Sequence, residues 1–306
     1  MMSSAQQALP LQTPIPAGRA RRPRWHFRLQ GSDTAWAIAF IIPYAAVFAA
    51  FVAYPVVFGL WMGSRPMLYT LLFSDPRYID TLVNTVLFVC IGVNVKMFLA
   101  FVVSGFFMQR RWWVRALLAV FLLPWALPAL SVFLSIHYML VSQWGLLDSL
   151  WSAVAGADGP LFLVSRGMAM AANIVAYIWK WLPFWTLIFV GARMAIPKEI
   201  YEAAAIDGAT GIQQTVHVTF PLLANVYLVA TLLSTLWTLG DFPTVHFVSS
   251  GAPARTTEVL ATYGFQQAFV FGHPELGAAA MMSALPLVIP LVILLMRRLR
   301  RTGVQL

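Results

Sequence analysis

The chain alternates between long apolar runs and short polar segments. Six runs are long enough to cross a bilayer, at approximately 35–61, 83–107, 116–138, 168–190, 222–239 and 277–296. A spanning helix needs about 20 mostly apolar residues. Within these runs apolar and polar positions do not alternate with a period of two, so they predict helices rather than barrel strands. The fifth run is the shortest and carries Asn225 and several hydroxyls, which makes it the weakest span by hydropathy and the first candidate for a lining helix. Pro124, Pro128, Pro183, Pro286 and Pro290 fall inside runs and predict kinks or breaks. The first run is far longer than the roughly 7–15 residues of a signal-peptide core, so it reads as an uncleaved span. The expected organisation is a disordered basic tail over 1–33, a first span over 34–62, a core of five spans over 79–298, and a short tail over 299–306.

Composition agrees with this pattern. The chain is 60% hydrophobic and 10% charged, against about a quarter charged in soluble domains. The net charge of +9 is placed at the ends of apolar runs rather than in a nucleic-acid-binding patch. With the N-terminus inside, fourteen Lys and Arg fall on inner segments and four on outer ones. By the positive-inside rule both termini are cytoplasmic. Cys90 is the only cysteine, so no intrachain disulfide forms.

One polar-rich stretch lies between the fourth and fifth runs. Pro197 suits the start of a helix, Glu199 and Glu202 suit its first turns, Ala203 to Ala205 favour helix, and Gly208 can stop it. A helix of two to three turns is predicted there, on the cytoplasmic side. Glu202-Ala203-Ala204, Asp207-Gly208-Ala209 and Pro221 match the loop of ABC importer permeases in type and spacing. The chain resembles that family, most closely its binding-protein-dependent sugar permease branch. Thr215, Val218 and Phe220 depart from the branch pattern, each with little change of character. The resemblance covers the second to the sixth span. Asn84-Thr85, Trp179-Lys180 and an outer turn at Gly251-Ala252-Pro253 before Thr257-Glu258 share it.

The resemblance implies a type I ABC importer permease fold: all-α, six transmembrane helices, with a cytoplasmic coupling helix. Glu202, Ala203, Ala204, Asp207, Gly208, Ala209 and Pro221 then form the loop that docks on a separate ATPase. Implied partners are ABC ATPase subunits, a second permease subunit that is a different chain rather than a copy, and an extracytoplasmic solute-binding protein, in a bacterial inner membrane. The first span is an extra helix that wraps the partner permease. The helix after Glu258, over 259–269, is expected to set Tyr263, Phe265 and Phe269 at the interface.

The residues also exclude functions. No Gly-rich phosphate loop precedes any of the lysines. No cofactor is therefore expected on this chain, and ATP with magnesium belongs to the partner. No metal-ligand or catalytic set is recognisable, and no nucleic-acid partner is expected. Asn225, Tyr227, Ser234 and Trp237 on the fifth span, with Lys96 and Lys180, are candidates for the substrate pathway. A lysine at a span centre costs about 2.5–3.5 kcal/mol and so faces the bundle interior or a cavity. Pairing with a backbone carbonyl or hydroxyl is an equal reading for both lysines. No acidic residue lies well inside a span, so no ion-pair partner is expected for them. That weighs against the alternative function, an ion-gradient-driven secondary carrier or channel.

Overall fold

The computed structural model describes residues 33–142, 144–156 and 159–301. Residues 1–32, Gln143, Ala157, Asp158 and 302–306 lie outside them, as do the expectations placed there. The chain divides into two units, one ending at Tyr54 and one beginning at Pro55. The first contains α1 (Asp33–Phe48) and a π turn, Ala49–Ala53. Its apolar residues run all round the helix, as in a membrane span.

The second unit opens in α2 (Tyr54–Gly63) and α3 (Pro66–Ser74) and is all helical among the described residues. Its longest helices are α4 (Pro76–Phe107) and α9 (Arg166–Met194), which pack along one another. Against both lies α12 (Phe220–Leu239). Val93, Met97 and Phe101 of α4 meet Trp185 and Phe189 of α9 and Leu223 of α12 in the central core. Among the described residues four helices are long and apolar enough to span: Trp36–Gly63, Pro76–Phe107, Arg166–Met194 and Gly211–Leu239.

The third run is a broken span. It comprises α5 (Trp112–Phe121), α6 (Leu123–Ala126) and α7 (Ala129–Leu140), and its two halves meet at 91°. Pro128 forces Leu127 into an extended conformation, which ends the first half. The segment after it holds a further helix, α8 (Leu146–Ala155).

The fifth helix starts earlier than its hydropathy suggests. After α10 (Lys198–Ile206) come α11 (Gly211–Gln214), a π turn (Thr215–Thr219) and α12 without interruption. Thr210 N–H donates to Gln213 Oε1 at 3.1 Å, which fixes the new start. The π turn lets the helix run through Pro221, because Phe220 N–H bonds to Thr215 O and the ladder is widened where the proline ring arrives.

Beyond α12 follow α13 (Pro243–Val248), α14 (Leu260–Phe265) with a π turn (Gln266–Val270), α15 (Pro274–Met282) and α16 (Leu285–Arg301). The sixth run is thus delivered as two helices. Pro286 cannot donate to Met282 O, so the helix breaks at Ser283-Ala284. Glycines bring α14 and α15 together: a Cβ on Gly277 would stand 2.6 Å from Gly264 O. Tyr263 is not interfacial as expected. It is 1% exposed, packs with Leu68, Leu72 and Tyr78, and donates its hydroxyl to Asp75 Oδ2 at 2.9 Å.

Candidate functional site

The loop between α9 and α12 is built on a buried cation. Arg193, in the last turn of α9, is 7% exposed. Its Nε donates to Ser104 Oγ at 2.7 Å and its Nη2 to Phe101 O at 3.0 Å, both on α4. The sequence offered Arg193 only as one more inner charge. Its packing role rests on Ser104 and Phe101, about 90 residues earlier.

Pro197 then begins α10, as expected. The helix ends in a Schellman arrangement. Gly208 N–H bonds to Ala205 O at 3.1 Å, Ala209 N–H bonds to Ala204 O at 2.9 Å, and Gly208 has φ +82°. The Gly208-Ala209 pair is therefore a backbone device, while the Asp207 side chain is exposed. Two further bonds fix the loop: Tyr201 to Thr219 between hydroxyls at 3.0 Å, and Gln214 Nε2 to Ala209 O at 2.9 Å.

This bonding turns Tyr201 and Ala204 inward and leaves Glu199, Glu202, Ala203 and Ile206 exposed on one face. Two carboxylates thus flank a thin apolar ridge. Ile206 is 86% exposed and Ile212, just beyond the loop, 82%. Neither isoleucine was singled out in the sequence. An isoleucine four residues after Glu202 in a short polar helix was the available signal. Ala204 belongs to the inner side.

The pathway candidates do not form one group. Lys96 is wholly buried and donates to Tyr177 Oη at 2.7 Å, with its Nζ 4.2 Å from that ring's centroid. Thr238 Oγ1 donates to Ser234 O at 2.6 Å, so the Tyr177 hydroxyl must donate to Thr238. Lys96, Tyr177, Thr238 and the Ser234 carbonyl thus form one directed chain across α4, α9 and α12. No ion pair joins either lysine to an acid among the described residues. Beyond α12 the chain turns at Gly240 and folds Asp241 inward, where it is buried and caps Thr244 N–H at 3.0 Å.

Lys180 has a different surrounding. Its ammonium donates to the carbonyls of Pro124, Trp125 and Leu127, at the end of the first half of the broken span. All three of its N–H donors are matched there by backbone acceptors. Of the remaining candidates, Ser234 is buried, whereas Asn225 and Tyr227 are half-buried and Trp237 is exposed. Tyr227 stacks on Phe189 at 5.6 Å, and Trp237 lies 5.6 Å from both Phe184 and Trp185.

The opposite end of the bundle is held by the segment before α14. Asn84 Nδ2 lies 2.7 Å from Thr256 O and 2.9 Å from Glu258 O, while Arg166 donates to Asn84 Oδ1 at 3.0 Å. Thr85 Oγ1 accepts Leu260 N–H at 2.9 Å. Arg77 pairs with Glu258 at 3.2 Å. Burial pushes the Glu258 carboxyl up from its ordinary range, and Arg77 pulls it back down.

The family model described as binding-protein-dependent transport system inner membrane component matches residues 96–302. Among curated relatives, the sulfoquinovosyl glycerol transport system permease protein SmoG of Agrobacterium fabrum is 28% identical over 89% of this chain and 92% of its own length. The trehalose/maltose transport system permease protein MalF of Thermococcus litoralis is 26% identical over 85% and 93%. Among solved structures, one chain of a bacterial alginate ABC transporter, crystallised with a periplasmic protein carrying an alginate pentasaccharide, superposes with a TM-score of 0.80. It shares 19% identity and covers 88% of this chain and 96% of its own.

Proposed function

This chain belongs to the binding-protein-dependent transport system inner membrane components, and on that footing we propose that it is one permease subunit of an ATP-driven importer for a sugar or related polyhydroxy solute. It is a multi-pass membrane protein. The names of its relatives, permeases for sulfoquinovosyl glycerol and for trehalose and maltose, support the solute class. The observation that carries the mechanism is α10: a short helix held from behind by Tyr201 and Gln214, with Glu199, Glu202, Ala203 and Ile206 facing outward.

Such a helix transmits force as a rigid body. Glu202 is the docking carboxylate and Ile206 the apolar contact on an ATPase that carries the nucleotide and its magnesium. Ala203 keeps the ridge thin, Ala204, Gly208 and Ala209 close the helix, and Pro221 begins the pathway helix. Both termini lie on the ATPase side. A second, different permease chain completes the path, and a binding protein delivers solute to the far face. Of the pathway candidates, Trp237 and Asn225 are accessible enough to meet solute, while Tyr227 stacks on Phe189. Lys96 and Lys180 hold helices in place, and Ser234 is buried.

The test is co-purification of the tagged chain in mild detergent with its ATPase. Glu202→Lys reverses the docking charge, and Gly208→Asp puts a side chain at positive φ, at a cost of roughly 1–2 kcal/mol. Both variants should reach the membrane and lose ATPase and uptake together. Full ATPase retention and full uptake in both would end the docking reading.

A further inference from the structure

Two adjoining cavities, of about 530 and 480 Å³, lie behind α10 and share Val102, Gly105, Arg193, Ile212 and Thr215. The two differ in chemistry. The larger is walled by aromatic and branched side chains: Phe98 and Phe101 of α4, then Val216, Phe220 and Tyr227. The smaller adds Tyr201, Gln214 and Thr219, whose hydroxyls and amide make it the more polar of the two. Arg193, more than nine-tenths buried, stands where the halves meet. Two of its nitrogens are bonded to α4, and a guanidinium carries five N–H donors. Donors therefore remain on the face that lines the cavity. Gly105 leaves room beside it: a Cβ there would be no closer than 3.7 Å to the guanidinium.

We propose that this divided groove is a binding site for an anionic phospholipid, with an acyl chain along Phe98, Phe101 and Phe220 and the phosphate at Arg193. Three observations select this occupant. Phe98, Val102, Val216 and Phe220 are all exposed, so the apolar half opens at the surface with a lining that suits an acyl chain. The polar half offers a buried cation with N–H donors to spare, which complements a phosphate diester. Arg110 and Arg111 follow Met108 of the polar half in sequence, so positive charge flanks the groove. The segment 211–219 lines the polar half and also carries the loop behind α10. A bound headgroup thus braces the part of the chain that transmits the ATPase stroke. The assignment rests on this face being cytoplasmic, and its test does not involve the ATPase.

The experiment is lipid retention by native mass spectrometry on the purified full chain, offered equal phosphatidylglycerol and phosphatidylcholine in mixed micelles. The native chain is expected to retain about tenfold more phosphatidylglycerol, the preference worth one charge-assisted contact of about 1.4 kcal/mol. Arg193→Gln should erase the preference. Val102→Trp, at an exposed position that leaves Arg193 and its α4 bonds intact, should fill the groove and erase it too. Equal retention of both lipids by the native chain would overturn the proposal, as would a preference that survives Val102→Trp. If millimolar inorganic phosphate abolishes the preference, the site takes free phosphate and the lipid assignment falls. If Val216→Cys cross-links to the second permease chain in the assembled complex, the groove is a subunit interface and the assignment falls as well.

Discussion

Asn84 contributes more than its size suggests. One amide accepts from Arg166 and donates toward two carbonyls of the segment before α14. The neighbouring Arg77–Glu258 pair makes the electrostatics of this region testable. Burial raises the Glu258 carboxyl and Arg77 opposes the rise, so Arg77→Gln should leave the folded-state value further above the unfolded one. A carboxyl shifted that way supports the fold below the unfolded value, about 4.3 for Glu, and loses that support as pH climbs through the folded value. Arg77→Gln should therefore be destabilised at neutral pH and approach the native chain on acidification. Because Arg77 is 44% exposed, the neutral-pH loss should be only about 1 kcal/mol. Thermal unfolding in detergent from pH 8 to pH 4 checks it. A gap between the two proteins that does not narrow toward low pH would refute the account. The sequence marked Asn84-Thr85 as a pair. It could not show what they hold, because their partners lie some 175 residues on.

Among the elements, the broken third span and its lysine form a unit. Burying an ammonium costs about 2.5–3.5 kcal/mol at a span centre. Three carbonyls left without partners would cost about 1–3 kcal/mol each. Lys180→Met removes the first cost and creates the second, so net stability should change little compared with either. The bend itself should loosen. In a Cys90→Ser background, spin labels at Arg115→Cys and Tyr138→Cys should give one narrow distance while Lys180 is present. Adding Lys180→Met should broaden that distribution. A distribution of unchanged width would remove Lys180 as the cap. The proline pattern made this break legible, and Pro286 did the same for the sixth run. The early start of the fifth helix was not legible from hydropathy. Its first turns are polar and are held by Thr210 with Gln213 and by a π turn, neither of which leaves a hydropathy signal.

For the molecule as a whole, the orientation proposed from the arginine distribution puts α10 and both termini on the same side of the membrane. Single cysteines in the Cys90→Ser chain read this directly. Ser250→Cys should react with an impermeant maleimide in spheroplasts. Ala205→Cys should react only once the membrane is opened. The reverse pattern would invert the topology and place α10 away from any ATP. Span length and apolarity were the most legible in the sequence, because a bilayer imposes both on every span alike. The interior polar chain from Lys96 through Tyr177 to Thr238 was the least legible. It depends on which faces of α4, α9 and α12 meet, and helices that are apolar nearly all round do not declare their faces.

The π turn at Thr215–Thr219 can be viewed as a phase shift. A helix that holds one residue more than its ladder needs rotates everything beyond it by about 100° relative to an unbroken helix. Upstream of this turn stand Gln214 and the bonds that steady α10; downstream stands the face of α12 that bears Tyr227, Ser234 and Trp237. The angular setting between the two is therefore stored in a single surplus residue. Were that residue taken up elsewhere in the helix, the face of α12 would turn by about a quarter of a revolution while α10 stayed where its bonds hold it. The stroke of one short helix would then reach the pathway as a rotation.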